Sequence, residues 1–258
     1  VFAEQLSSIG NIFGIAELPN LPFSATASAS SSEDSLDTID TKFSLGNATG
    51  AVRASISAAK DLSGSKIDLT LSSKDIREAS KQYDLEFKAP IGINLKTSFT
   101  LAPKAIDLES FELNLGNNTL SSSGEIRYGD QLGGSLKTTA TGKNLNNLVG
   151  QLLMESAQAS IPAKPWKLNG DARYQNGVVT IESSSATIGG TKLGFKGTFK
   201  FNNAMPLIDA DISAAGNNLA KSLETIDAED IPSKKFSINA HLNTDTNGIQ
   251  LSSIEALI

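Results

Sequence analysis

The sequence contains no cysteine and only one histidine, His241. Without cysteine there are neither disulfides nor thiolate metal sites. A single histidine excludes a multi-histidine metal centre within this chain. Aromatic residues make up only 6% of the chain, and the net charge is −6. Nucleic acids are bound largely through Lys and Arg, so this charge argues against a nucleic-acid partner.

Long apolar runs are also missing. No run approaches the roughly 18 residues that cross a bilayer, and no signal peptide is visible. Because the sequence starts at Val1, we expect a segment of a longer protein whose anchor or signal lies elsewhere. The stretch Val1–Ile15 has apolar residues at helical spacing, which predicts a helix packed on the neighbouring strands. It has no Lys or Arg, which disfavours a helix lying on a membrane surface.

The chain does contain strands with alternating apolar and polar residues. The clearest set starts at Trp166 and continues through Val178–Ile188, Leu193–Phe201 and Ile208–Ala214. Period-two alternation is typical of a half-buried strand. Asn176-Gly177 lies between the first two runs, where both residues of a type I′ turn need positive φ. We therefore predict four antiparallel strands followed by a short helix that starts near Leu219.

This set of strands recurs along the chain. Pro22, Pro90, Pro162 and Pro232 each follow an apolar residue and precede an alternating run, at separations of 68, 72 and 70 residues. Nearly constant spacing of such landmarks indicates an internal repeat. We predict one repeat array over residues 1–258 that is built from units of about 70 residues. The units are 1–85 with an N-terminal helix, 86–160, 161–230 and a truncated unit 231–258.

One predicted strand changes face. Ile106 and Leu108 occupy even positions, whereas Phe111 and the apolar residues after it occupy odd positions. A β-bulge near Ser110 would restore the register. After Asn144 the apolar period becomes that of a helix, with Leu145, Leu148, Val149, Leu152 and Leu153 on one face.

The repeats resemble those of the AsmA-like family, the bridge-like lipid transfer proteins that include AsmA, TamB and YhdP. The resemblance covers essentially the whole chain. It is carried by an Ile-Pro or Leu-Pro start, an alternating strand, an Ile-Gly-Gly-x-x-Leu-x-x-x-Gly hairpin at Ile188–Gly197, and a Gly-x-Asn-Leu end at Gly142–Leu145. The family implies a periplasmic protein that is anchored in the inner membrane by a segment not present here. It also implies a β-groove that carries phospholipid toward the outer membrane, and protein partners in either membrane.

Consecutive hairpins with one apolar face predict a mainly β fold, namely an elongated, strongly curved antiparallel sheet with short helices between repeats. Small residues such as Ala25, Gly170 and Ala210 would keep the groove unfilled and open to acyl chains. The alternative is that helices such as Leu145–Leu153 fill the concavity. The predicted groove-lining residues are Ile93, Leu95, Phe99, Leu101, Phe111, Leu113, Leu115, Leu193, Phe195, Phe199, Phe201, Ile208 and Ile212.

The residues give little support to catalysis. Asp209 and Asp211 share one strand face, but they alternate with apolar neighbours and so belong to the solvated side. We expect no enzyme activity, no cofactor and no metal site. Two hypotheses remain, which are transport of phospholipid along an open apolar groove, and a structural scaffold or adhesin-like protein of the cell envelope with a filled core.

Overall fold

Antiparallel strands account for most of the chain. The computed structural model describes residues 2–3, 6–7, 20–32, 35–77, 81, 90–129, 132–152, 161–200, 207–224, 230–245 and 248–258. The strands are β1 (Phe2–Ala3), β2 (Phe23–Ser32), β3 (Ser35–Leu45), β4 (Ala48–Ile56), β5 (Lys66–Ser73), β6 (Ile93–Ala102), β7 (Ala105–Leu115), β8 (Asn118–Arg127), β9 (Gly133–Gly142), β10 (Trp166–Gln175), β11 (Val178–Ile188), β12 (Thr191–Lys200), β13 (Leu207–Gly216), β14 (Phe236–Asp245) and β15 (Gly248–Leu257). The helices α1 (Leu145–Leu152) and α2 (Leu219–Ser222) are short. The prediction of a mainly β, antiparallel fold with few helices is confirmed.

The chain divides into two compact units, Val1–Ser121 and Ser122–Ile258. In the first unit, β1 to β7 pair in chain order, each antiparallel to the next. In the second unit, β9 to β15 do the same. Short connections between antiparallel neighbours are sufficient for this topology, so it needs no crossover.

The hairpin between β10 and β11 has the predicted turn. Asn176 has φ of 51° and Gly177 has φ of 80°, so both central residues occupy the left-handed region that a type I′ turn requires. The strand β11 also has the predicted bounds.

The helices follow the predicted apolar stripe in part. The helix α1 starts at Leu145 as expected, and its Leu145 amide donates to the Lys164 carbonyl at 3.0 Å. The second helix, α2, is a single turn, with the Asn218 side chain accepting from the Lys221 amide at its N-terminus. At the N-terminus, Phe2–Ala3 pairs with β2 as a strand and not as the start of the expected helix. Most of Val1–Ile15, together with Leu153 and Ile226, lies outside the described residues.

The predicted β-bulge is present in β7. Ser98 of β6 pairs with Ser110, but the next residue, Phe99, pairs with Leu108. Glu109 is therefore the additional residue in β7. Since one extra residue shifts the alternation by one position, Leu108 returns to the same side as Phe111.

The bulge places Glu109 among donors of the polar face. Its carboxylate accepts from Lys66 Nζ at 2.6 Å, Thr100 Oγ1 at 3.0 Å and Ser98 Oγ at 3.2 Å. These donors, Lys66 first, lower the pKa of Glu109 below its ordinary value of 4.5.

The large buried side chains lie at the ends of strands. Leu21 and Ile91 precede β2 and β6 and are 7% and 2% exposed, and Phe236 at the start of β14 is 4% exposed. Close by, main-chain amides of turn glycines donate to main-chain carbonyls in the segments that lead into β2, β6 and β10. The donor and the acceptor are the same number of residues apart in each of these hydrogen bonds. The pairs are Gly46 with Pro22, Gly116 with Gly92, and Gly189 with Pro165, at 2.8 to 2.9 Å. Strand ends are thus fixed by both packing and main-chain hydrogen bonds.

The lowered pKa of Glu109 makes a pH-dependent prediction. A carboxylate with a depressed folded-state pKa stabilises the fold above its ordinary pKa of 4.5, and this contribution disappears as the pH falls through the lower folded value. Glu109→Gln should therefore lower the melting temperature at pH 7, with a difference from the unaltered chain that shrinks steadily below about pH 4.5.

The control is Glu112→Gln on the same strand, which removes the same charge from a carboxylate whose hydrogen bond comes from the neutral Asn114 at 3.0 Å. Equal losses in the two variants, or a difference for Glu109→Gln that does not change with pH, would contradict this role of the bulge.

Candidate functional site

The predicted apolar residues of the first unit share one face of the sheet. Residues that are directly paired across antiparallel strands point to the same side. Leu95 pairs with Leu113 and, on the other side, with Leu71. The same row continues through Gly50 and Phe43. The remaining predicted residues of β6 and β7 fall into parallel rows through the pairs Ile93 with Leu115, Thr97 with Phe111, Phe99 with Leu108, and Leu101 with Ile106.

The second unit has an equivalent face. Leu193 pairs with Ala214, Phe195 with Ile212, and Phe199 with Ile208. On the other side of β12, Leu193 pairs with Ala186 of β11. Phe201 lies outside the described residues. We call these two surfaces the apolar faces of the first and second units.

Two aromatic rings stack on the apolar face of the second unit. The ring centroids of Phe195 and Phe199 are 5.0 Å apart, with an angle of 18° between the ring planes. Between them in sequence is Gly197, whose partner Ala210 is 1% exposed. A Cβ at Gly197 would lie 2.5 Å from Ala210 Cα and 2.3 Å from the Asp209 carbonyl oxygen. The backbones are therefore too close here for any larger residue.

The apolar faces are only partly covered. Each described member of the predicted set is half-buried, and none falls in the buried class. In a closed core the middle of a strand would be the most deeply buried part, but here the deeply buried apolar positions are strand ends, Leu219 at the start of α2, and small alanines. The apolar residues of α1, Leu145, Leu148 and Val149, are themselves half-buried. Helix α1 is hydrogen-bonded to the loop before β10, through Asn146 Nδ2 to the Ile161 carbonyl at 2.9 Å.

The apolar face of the second unit contains a hollow of about 410 Å³. Its lining includes Leu168, Ala186, Leu193, Phe195, Ile212 and Ile238. Small residues such as Ala186 and Ala214 leave space between the larger ones. A concave apolar surface of this kind is suited to a hydrocarbon ligand.

Charged residues occupy the opposite face. Asp211 Oδ1 lies 3.0 Å from His241 Nδ1, and Asp209 Oδ1 lies 3.5 Å from His241 Nε2. The side chains of Asp209 and Asp211 are 66% and 78% exposed, as expected for the solvated side. Within the described ranges, no group of three or more His, Cys, Asp or Glu could hold a metal ion.

Several features were not among the predicted site residues. Phe43, Ile67, Leu69 and Leu71 extend the apolar face of the first unit, and their alternation was already visible in the sequence. Hollows also occur on the polar face, three of them with volumes of about 480 to 560 Å³. The position of each hollow depends on which small residues pair with long ones across neighbouring strands. Only the strand register defines these pairs.

No family model matches this chain, and neither a curated protein nor a solved structure was found to be similar to it. In the part of the chain that the structure describes, no helix has the length and apolar character needed to cross a membrane.

The stacked rings allow a direct test of the face assignment. Phe195 and Phe199 should be energetically coupled, because a stacked aromatic pair adds about 0.5–1.5 kcal/mol beyond the area it buries. In a double-mutant cycle with Phe195→Leu and Phe199→Leu, the loss in unfolding free energy should be smaller than the sum of the single losses by about this amount.

The matched control combines Phe195→Leu with Phe236→Leu. Phe236 pairs with Gly216, several residues along the sheet from the Phe195–Ile212 pair, so these two losses should add. Additive losses for Phe195 and Phe199 would contradict the stacked arrangement.

Proposed function

We propose that the apolar faces bind the acyl chains of phospholipid and that the chain is a section of a periplasmic protein that carries phospholipid between the inner and outer membranes. The observation that carries the proposal is the half-exposed state of these faces. Apolar rows cross six strands of the first unit, with small residues such as Gly50 between the large side chains, yet these side chains do not form a buried core among the described residues. Exposed contiguous apolar surface marks a binding function.

The recurrence of local structure supports a repeat array of about 70-residue, four-stranded units, and we place these units in a curved, groove-like sheet. Strands β2, β6, β10 and β14 start at Phe23, Ile93, Trp166 and Phe236. In three successive groups the second strand carries an additional residue, namely Glu109 in β7, Glu182 in β11, and a residue near Ser253 in β15. A bulge at the same place in each group favours repetition of one structural unit.

The chemistry of the apolar faces suits a ligand that must be released. Full burial of one methylene contributes about 0.8 kcal/mol, and an acyl chain that is covered on one side gains only part of this. On the apolar face, the paired rows from β4 to β7 contain Ser, Thr and Gly among the larger apolar residues. None of the described residues in these rows is charged. An acyl chain can therefore lie across these rows without contact with a buried charge, while the headgroup stays in water.

The proposal includes the cellular setting that the AsmA-like resemblance implies. The full-length protein is anchored in the inner membrane, acts without catalysing a reaction, and meets membrane-protein partners at its ends. The pattern of Leu-Pro or Ile-Pro starts and Gly-x-Asn-Leu ends supports this assignment. The half-exposed apolar faces favour transport over a scaffold with a filled core.

Site-specific photocrosslinking tests the proposal. A photoreactive residue at Phe195 or Phe199, on the apolar face, should label phospholipid in the full-length protein within a living envelope. The controls are Thr198 and Lys196 on the same strand, whose partners Asp209 and Asp211 belong to the polar face.

Labelling at Phe195 and Phe199 but not at the two controls supports the proposal. Equal labelling at all four positions, or no lipid labelling at Phe195, would reject it and favour the scaffold. In the same cells Phe195→Asp should block transport, because an unpaired carboxylate in a dry apolar path costs several kcal/mol.

A further inference from the structure

A hollow on the polar face of the first unit differs in charge from the rest of this acidic chain. It has a volume of about 560 Å³ and lies above Ala51, between Lys42 and Lys96. No Asp or Glu lines it. Neither lysine has an ion pair or hydrogen bond with another described residue. Two unneutralised ammonium groups therefore face one carboxylate-free hollow in a chain whose net charge is −6.

Neighbouring hollows of the polar face do not share this property. The adjoining one, of about 480 Å³, shares Lys42 but also includes Asp40, Arg53 and Asp68, and Arg53 is paired with Asp40 at 2.7 Å. The polar hollow of the second unit contains Glu182, Asp211 and Glu255. Positive charge without a compensating carboxylate is thus a local feature of the Lys42–Lys96 hollow. Two carboxylates lie near its ends, Asp40 two residues before Lys42 on β3 and Glu112 opposite Lys96 on β7, and neither is among the lining residues.

The strand register gives the hollow its length. Lys42 pairs with Ala51, Ala51 with Thr70, and Thr70 with Lys96, so the two lysines are separated by three strand spacings. At about 4.8 Å per spacing this separation is about 14 Å between Cα atoms. The small side chain of Ala51 between them leaves the central space open. A ligand that meets both lysines is therefore elongated.

Hydroxyl and amide groups form a second row beside the lysines. Ser24 and Ser44 are hydrogen-bonded at 2.7 Å, and Ser72 Oγ donates to Asn94 Oδ1 at 2.8 Å. Such groups both donate and accept, as sugar hydroxyls do. The one aromatic residue along the hollow, Phe43, has its ring over Gly50 on the apolar face, so it offers the hollow no platform of the kind that stacks nucleobases.

We propose that the Lys42–Lys96 hollow binds an acidic saccharide, with the two ammonium groups on its carboxylate or phosphate groups and the Ser, Thr and Asn row on its hydroxyls. The site is independent of the proposed phospholipid function, because it lies on the opposite face of the same strands. It gives the protein a second ligand, which is either a free glycan or the sugar portion of a glycolipid.

The binding experiment uses three soluble probes, which are trigalacturonate, the neutral sugar maltotriose and inorganic phosphate. Trigalacturonate should bind measurably by isothermal titration calorimetry, and it should bind more tightly than either of the other two. Lys42→Ala and Lys96→Ala should each weaken its binding about three- to tenfold, which is the loss of one charge-assisted hydrogen bond at an open site. Ala51→Tyr should weaken it as well by filling the hollow from the polar side.

The matched control is Lys196→Ala, which removes the same charge from the polar face of the second unit beside Asp211 and should leave binding unchanged. Circular dichroism confirms that each variant is folded. The proposal would be overturned if trigalacturonate did not bind, or if it bound no more tightly than maltotriose or phosphate. Full binding of trigalacturonate by the Lys42→Ala and Lys96→Ala double variant would overturn it as well. Vesicles that carry an acidic glycolipid then separate the two sources, since a glycolipid site binds them more tightly than it binds the free sugar.

Discussion

The structure depends on the parity of its strand register. In a paired strand every second residue faces the same side, so a shift of one residue would move all apolar side chains of that strand to the polar face. Across β2 to β7 the parity is kept from Ala25 through Phe43, Gly50, Leu71 and Leu95 to Leu113. Where the sequence of β7 breaks the alternation, the additional residue Glu109 restores it. Its polar contacts stabilise the bulge on the polar face.

This register separates two surfaces with different chemistry. The apolar faces are half-exposed along the strands, whereas the large buried residues Leu21, Ile91 and Phe236 fix the strand ends. Main-chain ladders and these end contacts hold the sheet, so its middle does not need a filled core. An apolar surface that is not required for internal packing is available to a ligand. This division of roles is the physical basis for the proposed transport of acyl chains.

Alternation and turn chemistry made much of the fold predictable from the sequence. The bulge near Ser110, the Asn176-Gly177 turn and the start of α1 at Leu145 follow from local patterns that need no tertiary information. Phe2–Ala3 was misassigned because its pairing with β2 is a tertiary contact that overrides a weak helical pattern. The Lys42–Lys96 hollow was not predictable, because Lys42, Ala51 and Lys96 are distant in sequence and only the register brings them into one row. The proposed curvature of the groove and the proposed lipid ligand likewise have no local sequence signal.

The most direct test of the central claim is lipid mass spectrometry on the chain purified from cells without lipid-stripping detergent. The unaltered chain and Thr70→Asp, on the polar face, should retain phospholipid in equal amounts. Leu69→Asp, one residue away and opposite Val52 and Thr97 on the apolar face, should lose most of it while circular dichroism shows a retained β-sheet. Phospholipid that is absent from all three proteins, or present equally in folded Leu69→Asp and Thr70→Asp, would contradict the account.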